Sequence, residues 1–268
     1  MKLKVFSDVL DPWSWGLEGT LRAIDFTYKD FSYDYIMVGL VENYENFLPK
    51  NFSELNSADL GNKIIFDMYR AASTITKFPH FKEIPKLFTN EIKSSFTLDK
   101  YYCAVREIAY EKSNEYMRRL KEYMILKEKN VYEINVQKII LKELEIDFQD
   151  FCDELEFISE IFLEDRVKAF DYRIKQPPAF LVEETKKYIL GYKNYKDLSA
   201  FLDEEMIMEK RNIDDSMIVD FIKTYNNVLR EDVLILFSRE SLEKLLKTGQ
   251  VVEEKYGNGE ILIVVENK

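Results

Sequence analysis

The segment Asp11-Pro12-Trp13-Ser14-Trp15-Gly16 sets a carboxyl and a hydroxyl three residues apart, among two indoles and a proline. It follows a short apolar stretch and opens a run with helical periodicity, where unpaired backbone N–H groups and the helix dipole favour negative charge. An Asp placed there can act as a general acid or base, and a Ser as a nucleophile if a base activates it. An Asp before Pro at a helix start more often caps or turns the chain, and that role is expected for Asp11. Ser14, in the first helical turn, is expected to satisfy a backbone group. The single histidine, His80, stands in a loop between Pro79 and Pro85 and is not expected to serve as base. Asp11 and Ser14 are thus the catalytic candidates, neither with an evident activator. Sulfur offers little: Cys103 and Cys152 are far apart, form no C-x-x-C, and are expected to fill helix faces as small apolar residues. They cannot build a disulfide framework or a cysteine-based zinc site, and no metal site is expected.

The elements that position this segment are legible in outline. Lys2 to Ser7 reads as a strand, Ser14 to Tyr28 as a helix and Phe31 to Leu40 as a second strand. A helix is expected over Leu60 to Ala72, irregular chain from His80 to Phe96, and helices from Lys100 to about Glu160. Among these, one runs from Asn130 to Leu144 and one starts at Ile146-Asp147-Phe148 and carries Cys152 and Leu155. Pro178 to Val182 and Lys187 to Leu190 read as strands, with a closing helix from Asn194 to Glu205. The order β-α-β, helical insertion, β-β-α is an α/β thioredoxin topology with an inserted helical domain. Beyond Glu209 come helical segments at Asp214 to Tyr225, Leu229 to Phe237 and Ser238 to Lys247. A hairpin, Val251 to Val265, turns about Gly257-Asn258-Gly259. This predicts two domains: residues 1–205, with the insertion at about 60–165, and a small winged-helix-like module over 209–268.

The run Phe6 to Gly16 resembles the DsbA superfamily pattern D-x-x-C-P-W-C-W-G, with Asp11 and Ser14 at the two cysteine positions. Gln176-Pro177-Pro178-Ala179-Phe180 resembles the family's cis-proline loop, which makes Pro178 the cis residue. The resemblance covers Met1 to about Glu205 and implies a groove formed by Asp11, Pro12, Trp13, Ser14, Trp15, Pro177, Pro178 and Ala179. Trp13 is expected to be exposed in it and Trp15 buried. Without either thiol the disulfide-exchange pathway is closed. One alternative is that the chain is a dithiol-disulfide isomerase by homology only, and redox activity is not expected. Two kinds of relative bear on function. Kappa-class glutathione transferases and 2-hydroxychromene-2-carboxylate isomerases carry D-x-x-S-P-Y-S-W, a serine contacting the glutathione sulfur where this chain has Asp11. The FrnE-like proteins and the cytosolic DsbA-like adaptors that deliver a transcription factor to the ClpXP protease are similar in layout. The expectation is an adaptor-like protein that binds a peptide or protein beside the cis-proline, with no cofactor. Glutathione is the one small ligand the alternative implies, and a dimer is implied only by the kappa enzymes.

Composition narrows the partners. The 268 residues are 46% hydrophobic and 32% charged with a formal net charge of −11, enough chain for a sizeable core. That charge argues against a general nucleic-acid binder, which needs a basic face. No apolar run reaches bilayer-spanning length and no signal-peptide pattern opens the chain, so a cytoplasmic protein without membrane contact is expected.

Overall fold

Alternating apolar residues make the first strand, and a fixed proline starts the first helix. The computed structural model describes residues 2–48 and 57–265. The expected domain limits Met1 and Lys268 lie outside them. Strand β1 (Lys2–Ser7) sends Leu3 and Val5 into the main core and Phe6 to a smaller cluster on the opposite face. Helix α1 (Pro12–Thr27) begins two residues before Ser14, because Pro12 is preset for the first helical position and Asp11 caps it. Strand β2 (Ser32–Met37) lies parallel to β1. After the insertion, β3 (Ala179–Val182) and β4 (Lys187–Leu190) complete a sheet of order β2-β1-β3-β4, with β3 antiparallel to both neighbours. Helix α8 (Tyr195–Glu205), capped by Asn194, packs on α1.

The insertion holds α2 (Ser57–Thr76), α3 (Phe96–Ile108), α4 (Ser113–Lys121), α5 (Ile134–Glu143), α6 (Phe148–Leu155) and α7 (Ile158–Asp171). Helix α4 ends in a wider π turn, Glu122–Leu126. The periodicity did not anticipate α7, so the insertion runs past residue 165. Helix α7 packs against β2 and α3. Helix α1 is enclosed on all sides: of its sixteen residues only Trp13 and Asp25 are not buried.

The tail forms α9 (Ile218–Thr224), α10 (Arg230–Val233), α11 (Arg239–Thr248) and a hairpin of β5 (Val251–Tyr256) and β6 (Gly259–Val264). Its apolar core around Phe221, Val233, Phe237 and Leu242 also takes in Phe26 of α1. Buried ions join it to the rest. Arg118 of α4 reaches Asp232 at 2.9 Å and Glu122 at 2.8 Å, and lies 4.6 Å over the Trp15 ring. Arg119 holds Glu122 at 2.6 Å, and Arg22 of α1 stands 3.6 Å from Asp232. At the hairpin tip Asn258 N donates to Leu126 O at 2.6 Å. Gly257 has φ +61°, and a Cβ there would fall 2.2 Å from Leu126 O, so only glycine allows this approach.

Candidate functional site

Asp11 is spent on local structure. One carboxylate oxygen accepts from Trp13 N at 3.0 Å and the other from the Ser14 hydroxyl at 2.6 Å, while the Ser14 hydroxyl also pairs with that of Ser7. Asp11 is 1% exposed and Ser14 wholly buried. Burial pushes the Asp11 carboxyl up to about 6, against the lowering effects of the Ser14 hydrogen bond, the Lys121 charge and Trp13 N. Lys121 is itself enclosed, 3.3 Å from Glu18. Two more carboxylates bind the loops nearby. Asp8 accepts from Leu10 N at 2.7 Å, and from Leu40 N and the Ser95 hydroxyl at 2.6 Å each. Asp99 accepts from Val9 N at 3.0 Å and Gly39 N at 3.1 Å. Burial, and then the neighbouring Asp8, hold the Asp99 carboxyl well above the usual range. These side chains fasten the β1–α1 loop to the chain after β2 and to the start of α3.

Long-range packing closes the motif. Helix α2 and the loop after it lie against the first turns of α1, so a Cβ at Gly16 would meet the Thr76 side chain at 2.3 Å. Trp15 donates its indole N–H to Pro79 O at 2.7 Å and sets its ring edge-on to Phe78. The Pro177–Pro178 peptide is cis. Pro12, Trp15, Pro178 and Ala179 are buried, and Pro177 is half-buried. Trp13 is half-buried against Tyr192, 5.9 Å between ring centres, not exposed. Of the eight residues expected to line a groove, six are thus buried and Trp13 and Pro177 half-buried, and the end of α2 with the chain after it packs on α1 at Gly16 and Trp15. Among the described residues no group of three or more His, Cys, Asp or Glu side chains is placed to hold a metal ion. None of the described helices is long and apolar enough to cross a membrane. Cys103 is buried, with its thiol pushed up by burial and by Asp165 beside it, and Cys152 is half-buried.

The open surface lies on the other side of the cis-proline loop. A cleft of about 500 Å³ runs between α7 and that loop, lined by Val38, Leu40, Leu163, Val167, Phe170 and Pro177, with Arg166 and Lys175 at its sides. Leu163, Val167 and Phe170 follow the spacing of one helix face, and all three rings or chains stand in solvent, Phe170 at 82%. A second cleft of similar volume flanks the same helix, sharing Leu163 and Val167 and bounded by Glu160, Asp171 and Tyr172. None of the α7 residues was singled out in the sequence. The available signal was two apolar stripes on different faces, Ile158, Phe162 and Ala169 on one and Leu163, Val167 and Phe170 on the other, which continue past Glu160.

The sheet order, the inserted helices and the cis peptide after β-α-β define a DsbA-like thioredoxin fold. No protein-family model matches the chain, and no curated protein matches it. Solved structures do. A protein assigned as a disulfide isomerase from Nitrosomonas europaea superposes with a TM-score of 0.62 at 17% identity, over 76% of this chain and 96% of its own. The cytosolic disulfide reductase DsbM from Pseudomonas aeruginosa gives 0.58 at 15%, over 76% and 98%. A 2-hydroxychromene-2-carboxylate isomerase gives 0.53 at 12%, over 76% and 96%. At these identities the likeness establishes the fold.

Proposed function

We propose that this chain is a thioredoxin-fold binding protein without redox activity, which presents the α7 surface beside the cis-proline loop to a protein partner in the manner of an adaptor. One observation carries the reading: the position used for thiol chemistry in this fold holds Asp11 and Ser14, both sealed, while the adjoining helix leaves Phe170, Leu163 and Val167 in water. Contiguous apolar side chains beside a cleft are the usual mark of an interaction site. Covering a Phe, a Leu and a Val stabilises a complex by about 1.5–3 kcal/mol per fully buried side chain before the costs of association. An amphipathic segment laid along α7 would meet three anchors at helical spacing. The glutathione-dependent alternative needs a thiol to reach the first turn of α1, and the burial of Asp11 and Ser14 weighs against it.

The test places a photo-crosslinking residue at Val167, and as control at Ile139, an exposed position on α5. Cells of the source organism then supply the partner. A discrete adduct from Val167 but not from Ile139, lost when Phe170 is changed to Ser, is the expected result. Equal adducts from both positions, or insulin reduction above the buffer rate by the purified chain, would overturn the proposal.

A further inference from the structure

The two edges of the sheet are finished differently, and the difference lies in the main chain. Val38 N donates to Ser7 O, so alternate residues of β2 turn toward β1 while Tyr33, Tyr35 and Met37 turn outward. Each of these outward positions is occupied. Asn114 donates to Tyr33 O at 3.0 Å, Arg106 donates to Tyr35 O at 2.9 Å, and Asp165 accepts from Met37 N at 2.8 Å. Side chains of the inserted helices thus seal that edge.

Carrying the same alternation through the pairs Lys4↔Leu181 and Phe180↔Ile189 leaves Tyr188 and Leu190 of β4 with their N–H and C=O groups pointing out of the sheet. Among the described residues one side chain intervenes here, Lys193 donating its ammonium to Leu190 O at 2.6 Å. Tyr188 is 43% exposed and Leu190 is also exposed. Four lysines fall within eleven residues around this strand in a chain of net charge −11: Lys186 and Lys187 at its start, Lys193 just after it with its ammonium on Leu190 O, and Lys196 in the first turn of α8. Of the nearby acids, Glu183 lies 3.6 Å from Lys4 and Glu184 accepts from Lys2 N, while Asp197 starts α8.

We propose that β4 is a second recognition edge, which takes up an extended acidic segment of another protein by strand addition. The outward Tyr188 and Leu190 main-chain groups would supply the hydrogen bonds, and the four lysines would select the sign of the partner's charge. The same lysines exclude a second copy of this chain, since edge-to-edge pairing would bring two such clusters together. The Tyr188 ring lies 6.5 Å from Tyr172 at the border of the second α7 cleft, but the proposal rests on the β4 main chain and not on the apolar face of α7, so it stands or falls independently of the proposal above.

The probe is a fluorescein-labelled Glu-Val-Glu-Val-Glu-Val peptide, read by anisotropy against the full-length chain. Controls are Lys-Val-Lys-Val-Lys-Val and the acidic peptide N-methylated at every residue, which keeps its charge but has no backbone donors. The expected result is binding of the acidic peptide alone, weakened by salt, with amide shifts at Tyr188 and Leu190. Reversing two charges in the Lys186→Glu, Lys187→Glu variant should weaken it about tenfold. Tyr188→Pro removes one outward donor without touching the β3 ladder and should abolish binding. If that variant does not fold, the N-methylated peptide makes the same distinction. Equal binding of the N-methylated peptide would reduce the effect to charge and overturn strand addition. Absence of binding by the acidic peptide would overturn the proposal outright.

Discussion

Asp11 carries a proton more readily in the folded chain than in the unfolded one. Its pKa rises from an ordinary 3.8 to about 6, so its contribution to stability is complete below pH 4 and is lost as pH rises through 6. The span of about two pH units corresponds to about 3 kcal/mol at neutral pH. Asp11→Asn keeps an acceptor for Trp13 N and removes the titration. Urea unfolding of that variant should therefore show a shallower fall in stability between pH 4 and 7 than the parent. A second expectation concerns the missing sulfur. Introducing thiols with Asp11→Cys and Ser14→Cys together should leave insulin reduction at the buffer rate, because both positions are buried. The capping role of Asp11 was legible from its place before Pro12. Its burial was not, because the groups near it include Tyr69 of α2 and Lys121 of α4, and no local pattern reports a contact across that separation.

At the scale of elements, strands and helices near the motif followed from alternation, proline and capping residues, whereas α7 escaped notice. Its sequence mixes apolar and charged residues without a clean polar face, because one side packs on β2 and α3 while another stands in solvent. Such a helix gives a weak periodic signal. The exposed side chains contribute little to folding, so Leu163→Ser with Val167→Ser and Phe170→Ser should change stability by no more than about 0.5 kcal/mol per site. Chemical denaturation checks this, and the adduct from a photo-crosslinking residue at position 167 should vanish when Leu163 and Phe170 are both changed to Ser. The π turn at Glu122–Leu126 was likewise invisible in sequence. It offers Leu126 O to Asn258 N, and the partner residue comes from the far end of the chain.

Over the whole molecule, the tail and the thioredoxin-like body share buried charges. Asp232→Ala would leave Arg118, 1% exposed and gripped from two sides, without one of its carboxylates. The expected loss is about 3–5 kcal/mol, read as a drop in urea midpoint. With Phe26 and the Arg22–Arg118–Asp232 group spanning the boundary, the parent chain should unfold in one transition by fluorescence and circular dichroism alike. The tail was readable as helices and a hairpin from its own turns and caps. Its attachment was not, since Arg118, Glu122 and Asp232 look like surface charges until they face one another.

Enclosure of α1 by the sheet, α2, α8 and the tail leaves that helix without a face on which substitutions are free. A surface helix shows relief from selection at every third or fourth position. Here a saturation scan read by a folding reporter should show a nearly unbroken intolerant stretch from Pro12 to Thr27, relieved at Trp13 and Asp25. Such a stretch resembles the profile of a catalytic segment, and the packing around α1 is sufficient to produce it.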